Sequence, residues 1–356
     1  MVNLKLVQQS NAALKSAAPG QIALFIGATS GLGLTTLTEY ARNANKPKVY
    51  IVGRDEGKLS KIIAELQKIN PTATFIPIKS EIALFKNVDA ACEELKSKES
   101  TLDLLVMSPG YLKTSKVRKL EPDKRQRQSC SSTDNADGIE DTISLRYYVR
   151  ARFVQNLLPL LKAPSSARIV SIHGAGKEGK MDEKDLELKT TFSMQKAAMH
   201  TSTMNTLALE EVATTNPTIS CVHVFPGVVI TPAYGILSDD FSAPMKFVFR
   251  KAIMPCAKLM TMGLPESGQR LLFTATSARY PPAGVKEPPG SGVAIPAGAD
   301  VVTGSDWKKG SGCYLLSPQG EPVGDKQLLE EYRKNGWDKK IWEHTQEVFD
   351  RALTKA

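Results

Sequence analysis

The residues with most to say about chemistry are Gly27-Ala28-Thr29-Ser30-Gly31-Leu32-Gly33, which close an apolar run at Ile22–Ile26 and open a segment of helical period. A Cβ at Gly31 or Gly33 would hold the backbone away from a pyrophosphate seated on the helix N-terminus. The turn therefore predicts a dinucleotide site built from Gly27, Thr29, Ser30, Gly31, Leu32 and Gly33. The next apolar run ends Tyr50-Ile51-Val52-Gly53-Arg54. NAD sites usually place an acidic residue there for the ribose 2′-hydroxyl. Gly53 leaves room for a phosphate instead, and Arg54 offers a planar, permanently charged fork to bind it. NADP(H) is the expected cofactor unless Asp55 turns inward. Further along, His173 ends the run Arg168–Ile172, where open α/β sheets bind ligands, and an imidazole ordinarily titrates near neutrality.

The elements that must position these groups follow from the hydrophobic pattern. Short apolar runs at Ile22–Ile26, Val49–Val52, Thr74–Ile78, Leu102–Met107, Arg168–Ile172, Ser220–Phe225 and Cys313–Leu316 alternate with helical-period stretches at Leu32–Ala44, Lys58–Ile69, Val88–Leu95, Leu145–Leu161 and Met194–Ala213. Such alternation predicts an α/β fold: a Rossmann-like, doubly wound, parallel seven-stranded sheet in a single domain. The expected organisation is a dinucleotide-binding core over residues 20–235, a helical lid and irregular insertion over 236–312, and the last strand with C-terminal helices over 313–356. Residues 113–142 are polar and read as a surface loop. Residues 279–312 are crowded with Pro and Gly. The tail Gln327–Leu353 is helical, with Trp337 and Trp342 as its expected anchors.

Composition narrows the function classes. The net charge of +9, from 46 basic and 37 acidic residues, is not gathered into one face, and the one basic run, Lys124, Arg125 and Arg127, lacks interleaved aromatics. A nucleic-acid partner is not expected. Five cysteines with no CxxC spacing fit a reducing compartment and no metal site. The first twenty residues lack the apolar core of a signal peptide, and no run of about 18 uncharged apolar residues is present to span a bilayer. A cytoplasmic protein is expected.

With the Gly27–Gly33 turn, Pro226-Gly227-Val228-Val229-Ile230-Thr231 after the sixth strand, and Lys196 in the helix after the fifth, the chain resembles the short-chain dehydrogenase/reductase family over roughly residues 20–235. Its Ser108-Pro109-Gly110 after the fourth strand is similar to divergent fungal members. The resemblance implies that Thr231, with Pro226 and the backbone near Val229, holds the nicotinamide carboxamide. It implies that Ser108 and Gly110 line the cofactor and that Lys196 binds its ribose. It also implies a substrate lid near residues 234–263 and a homodimer or tetramer formed through the helices after strands four and five.

The family's reductases combine an Asn, a Ser, a Tyr and a Lys, with Tyr and Lys at i and i+4. This sequence departs from that set. Phe192-Ser193-Met194-Gln195-Lys196 keeps the lysine and replaces the tyrosine with a residue that has no proton to give. His173 or Gly174 stands where the serine would be, and Arg146 where the asparagine would be. What the fold would still aim at the nicotinamide is Arg146 and Arg150, one helical turn apart, with His173, Lys196 and Thr231. Phe192, Tyr147 and Tyr234 are the expected substrate walls. His173, Arg146 and Lys196 are the candidate catalytic groups, and no metal is expected. Three functions fit: an NADP(H)-dependent reductase of a hydrophobic iminium or conjugated alkene, whose hydride acceptor needs no phenol; a non-redox cyclase, isomerase or dehydratase on the same fold; and an NADP(H)-binding protein without turnover.

Overall fold

In the computed structural model the described residues are 2–110, 134–231, 251, 261–284 and 292–354. The seven apolar runs form β1 (Ile22–Ile26), β2 (Lys48–Gly53), β3 (Thr74–Lys79), β4 (Leu104–Met107), β5 (Ala167–Ile172), β6 (Ile219–Val224) and β7 (Cys313–Leu316). All pairings are parallel, in the order β3-β2-β1-β4-β5-β6-β7. Every residue of β4 to β7 is buried, which is why these runs show no polar alternation. β3 lies at the sheet edge and does alternate, and it carries Pro77, which a central strand would not tolerate.

Nine helices of nine residues or more cover the sheet among the described residues: α1 (Leu4–Ala13), α2 (Gly31–Asn43), α3 (Glu56–Ile69), α4 (Phe85–Lys96), α5 (Val149–Lys162), α6 (Met194–Thr215), α7 (Leu264–Thr276), α8 (Lys326–Lys334) and α9 (Trp337–Thr354). Side chains alternate along each strand, so the core divides in two. Leu24, Ile26, Tyr50 and Val52 meet α4, α5, α6 and α9 on one face; Ala23, Phe25, Val49 and Ile51 meet α1, α2, α3 and α7 on the other. A π-helical turn, Ser144–Tyr148, leads into α5, and such turns are frequent at functional sites.

Three details go beyond the sequence reading. Within 236–312, α7 packs against α1 and α2, and Gly268 lies so close to Thr35 that a Cβ there would stand 2.4 Å from its methyl carbon. The first residues are structured too, since the Asn3 side chain caps α1 by accepting from the Leu6 amide at 2.9 Å. The tail is anchored chiefly by Ile341, Thr345, Val348, Phe349 and Ala352, all buried, whereas Trp337 and Trp342 are half-buried at the rim. Most of residues 234–263 and much of 113–142 fall outside the described residues.

The packing of α9 is aromatic as well as aliphatic. Phe349 stacks edge-on to Phe85 of α4, and the Arg152 guanidinium of α5 lies over its ring at 5.1 Å. His344 is hydrogen-bonded to the Tyr148 hydroxyl at 2.8 Å. The core face beneath α9 is therefore covered from within the chain.

Candidate active site

The glycine turn joins β1 to α2 at the point where strand order reverses, between β2 and β4, which is where doubly wound sheets bind ligands. Gly27 adopts φ +75, and a Cβ there would stand 2.5 Å from the Pro109 nitrogen and 2.6 Å from the Ser108 carbonyl carbon. The first glycine thus lets the turn close onto the backbone that follows β4. Gly33 brings α2 against the turn itself, where a Cβ would lie 2.5 Å from the Gly27 oxygen. Ser30 is the N-cap of α2, yet its side chain makes no capping bond, so the first-turn amides are left for a ligand. Thr231 leans over this end, 3.3 Å from the Cβ position of Gly31. These features fit a pyrophosphate.

At the end of β2 the space beside Gly53 is occupied. A Cβ there would meet Thr29 Cγ2 at 2.8 Å and Leu59 Cδ2 at 3.0 Å, so the glycine admits these two side chains and does not by itself leave a phosphate pocket. Asp55 does not turn inward: it is the N-cap of α3, accepting from the Lys58 amide at 2.9 Å. Arg54 is exposed and, among the described residues, held only by Glu81 at 3.5 Å, both partners well solvated. An ion pair of that kind is worth about 1 kcal/mol or less and does not compete with a phosphate.

A dense polar cluster fills the carboxyl ends of β4, β5 and β6. Arg150 is buried and donates to the Met107 oxygen at 3.0 Å, the Pro109 oxygen at 2.6 Å and Ser171 Oγ at 2.8 Å. It clamps the segment that carries Ser108 and Gly110. All these acceptors are uncharged, and burial with the nearby Arg146 pushes the Arg150 pKa down to about 9, so it stays cationic at neutral pH. Arg146, on the π-helical turn, is half-buried; among the described residues its side chain makes no hydrogen bond or ion pair, and burial lowers its pKa against the opposing charge of Glu140.

His173 does end β5 beside these arginines, and its Nε2 meets Thr201 Oγ1 at 2.9 Å. Thr201 already donates to the Ala197 oxygen at 2.6 Å, so the imidazole is the donor of that pair. The expectation of a histidine titrating near neutrality is overturned, because burial and then the charge of Arg150 hold its pKa well below the usual range. At neutral pH it is an uncharged ring.

The remaining expected residues divide. Pro226 and Val229 are buried after β6, whereas Val228 is exposed. Phe192 and Lys196 do not share a helix face: α6 begins at Met194, capped by Ser193 Oγ, which accepts from the Lys196 amide at 3.2 Å. Phe192 lies before the helix, half-buried against the first core cluster, and Lys196 is exposed on its first turn. Tyr147 is not a substrate wall. It is buried in the core, and its hydroxyl is bound to Thr345 Oγ1 of α9 at 2.6 Å. Tyr234 lies outside the described residues. Three polar residues escaped the sequence reading, Glu178, Thr206 and His223. The available signal was His223 itself, an imidazole in the middle of an otherwise fully buried strand. Among the described residues no cluster of His, Cys, Asp and Glu could hold a metal, and no helix is long and apolar enough to cross a membrane.

A parallel seven-stranded sheet with a glycine turn at its switch point, and polar groups gathered at the same end, defines a dinucleotide-binding protein of the doubly wound class. Residues 21–240 match the short chain dehydrogenase family. The chain belongs to that family. It is 38% identical over 353 residues to an oxidoreductase of Emericella nidulans, covering 99% of each chain. It is 33% identical to the oxidoreductase andH of Emericella variicolor, covering 100% of this chain and 99% of the relative. Among solved structures, the NADPH-bound carbonyl reductase from chicken fatty liver superposes with a TM-score of 0.53 at 16% identity, covering 86% of this chain and 100% of that one. The latter likeness is one of fold.

Proposed function

We propose that this protein is an NADP(H)-dependent reductase of a hydrophobic conjugated alkene. The observation that carries the reading is the pair Arg146 and Arg150 at the carboxyl end of the sheet, with no carboxylate bound to either among the described residues. The glycine turn would hold the pyrophosphate and Arg54 the 2′-phosphate. Ser108, Gly110, Lys196, Pro226, Val229 and Thr231 would surround the nicotinamide half. When bound, the nicotinamide supplies a hydride. Delivery to a ketone leaves an alkoxide that needs a proton at once, and Phe192 and neutral His173 offer no strong acid. Delivery to the β-carbon of an enone leaves an enolate, whose oxygen Arg146 can stabilise by charge and hydrogen bonding while water later protonates carbon. The same two cations repel an iminium, which separates the two acceptor types left open by the sequence. The relatives named as oxidoreductases, and the NADPH in the carbonyl reductase structure, support a redox role.

Two measurements test this. NADPH absorbance followed with matched enones, imines and saturated ketones should show enone turnover at least about 100-fold above ketone turnover, the span general acid catalysis contributes to carbonyl reduction. Brisk reduction of ordinary ketones would overturn the reading. Phe192→Tyr should not create a ketone reductase, because the side chain packs against the core and precedes the helix. Cofactor choice is tested by Arg54→Ala, which should weaken NADPH by about 1.5–3 kcal/mol, the worth of a charge-assisted hydrogen bond, and leave NADH nearly unchanged. Equal losses for both nucleotides would defeat the 2′-phosphate assignment.

A further inference from the structure

Behind His173 lies a buried chain of polar groups that the proposed chemistry does not use. The Gly174 amide donates to His223 Nε2 at 3.1 Å. That leaves the His223 proton on Nδ1, which meets Thr206 Oγ1 at 2.9 Å, and Thr206 in turn donates to Glu178 Oε1 at 2.8 Å. All donors point one way and end on Glu178, whose side chain is 1% exposed. Its second oxygen, Oε2, is buried and has no partner. The His223 ring stacks on that of His173, with centroids 6.0 Å apart. A buried carboxyl with one oxygen unsatisfied is costly in either protonation state, so the arrangement calls for a reason beyond packing.

We propose that Glu178 is a positioning residue for the wall of the pocket, acting through Thr206 and His223 on the Gly174 amide and the His173 ring, and that loss of its proton re-tensions this wall. The proposal rests on the reading that this wall faces the nicotinamide. With a carboxylate at the end of the chain every donor is drawn toward Glu178; with a neutral carboxyl that pull slackens. The charged and titratable groups around the chain are Glu210 of α6, tied to Arg333 of α8, with Arg150 of α5, Arg146 of the π-helical turn, His173 and His223. Burial raises the Glu178 pKa to about 7, opposed by the Thr206 hydroxyl and the amides of Glu178 and Gly176, while His223 is pulled down to about 3 by burial and Arg150. The change of state near neutrality therefore belongs to the carboxyl and not to the histidines.

The chain has four histidines, so uniform 15N-histidine labelling of the whole protein gives a readable spectrum. His223 should show the Nδ1–H tautomer. His173 and His223 should both shift with a midpoint near pH 7 although neither gains a proton, while His200 and His344 do not share that step. Glu178→Gln should remove the step, and Thr206→Val, which keeps the side-chain shape but takes away the hydroxyl linking Glu178 to His223, should shrink it at both histidines. Stability gives a second readout. Folding raises the Glu178 pKa above its unfolded value, so its contribution is present below the ordinary carboxylate range and is lost as pH rises through about 7. The wild-type Tm should therefore fall relative to Glu178→Gln between pH 5 and 8. A step that survives in Glu178→Gln, no step in the wild type, or an Nε2–H tautomer at His223 would each overturn the proposal. Added NADPH should displace the His173 and His223 signals. If the step behaves as expected and NADPH moves neither signal, the relay stands and the reductase reading fails.

Discussion

Gly33→Ala should weaken NADPH and NADH alike by at least about 100-fold, or about 3 kcal/mol. The added Cβ would lie 2.5 Å from the Gly27 oxygen and 2.9 Å from the Ala28 Cα. Both are backbone atoms of the turn, so no rotamer change relieves the clash; either α2 moves away from β1 or the turn opens. Both outcomes spoil the array of amides that would face the pyrophosphate, and both lower the Tm. Loss of the two nucleotides together separates this variant from Arg54→Ala, which acts on one. Fluorescence titration of each nucleotide with a parallel thermal melt decides the matter: a folded Gly33→Ala protein that keeps tight binding places the nucleotide elsewhere.

Arg146→Met should lower enone turnover by about 10²–10³-fold, the usual loss on removing one donor to a developing oxyanion. Methionine keeps much of the length and apolar stem of arginine, so packing against the π-helical turn is largely retained. Because the guanidinium holds up no other described residue, the Tm and the NADPH affinity should stay close to wild type. Arg150 offers the contrast. It clamps Met107, Pro109 and Ser171, so Arg150→Met should cost stability as well as activity. Saturation kinetics on the two variants make the comparison. An Arg146→Met enzyme with unchanged kcat would end the enolate argument.

Much of this was legible from residue order. Strands β1 to β7 fall within two residues of their predicted starts and ends, because runs such as Leu105-Val106-Met107 are too apolar to lie anywhere but between two helical layers. The glycine turn was legible for the same local reason: few conformations bring a strand and a helix so close. What failed was long-range. Tyr147 looked like a pocket residue until α9, far away in sequence, supplied Thr345 for its hydroxyl. Gly53 looked like space for a phosphate until Thr29 and Leu59 filled it. His173 has the residue type of a proton carrier, and only its burial, with the guanidinium of Arg150 beside it, shows that the ring is uncharged at neutral pH. Glu178 reads as one more charge in the polar stretch Lys177-Glu178-Gly179-Lys180; its burial depends on where the loop after β5 meets α6.

The docking of α9 has a consequence for how the chain is made. Synthesis delivers this helix after all seven strands, yet Ile341, Val348 and Phe349 complete the core layer over α4, α5 and α6. Until they emerge, Phe85, Tyr147 and Tyr148 lack part of their cover, and the nascent protein presents an aromatic face to the crowded surroundings of the ribosome. A message cut short before Trp337 would encode the whole sheet and the whole glycine turn, but would release a product that keeps that face open. Such a fragment is a substrate for chaperones before it is one for nucleotides.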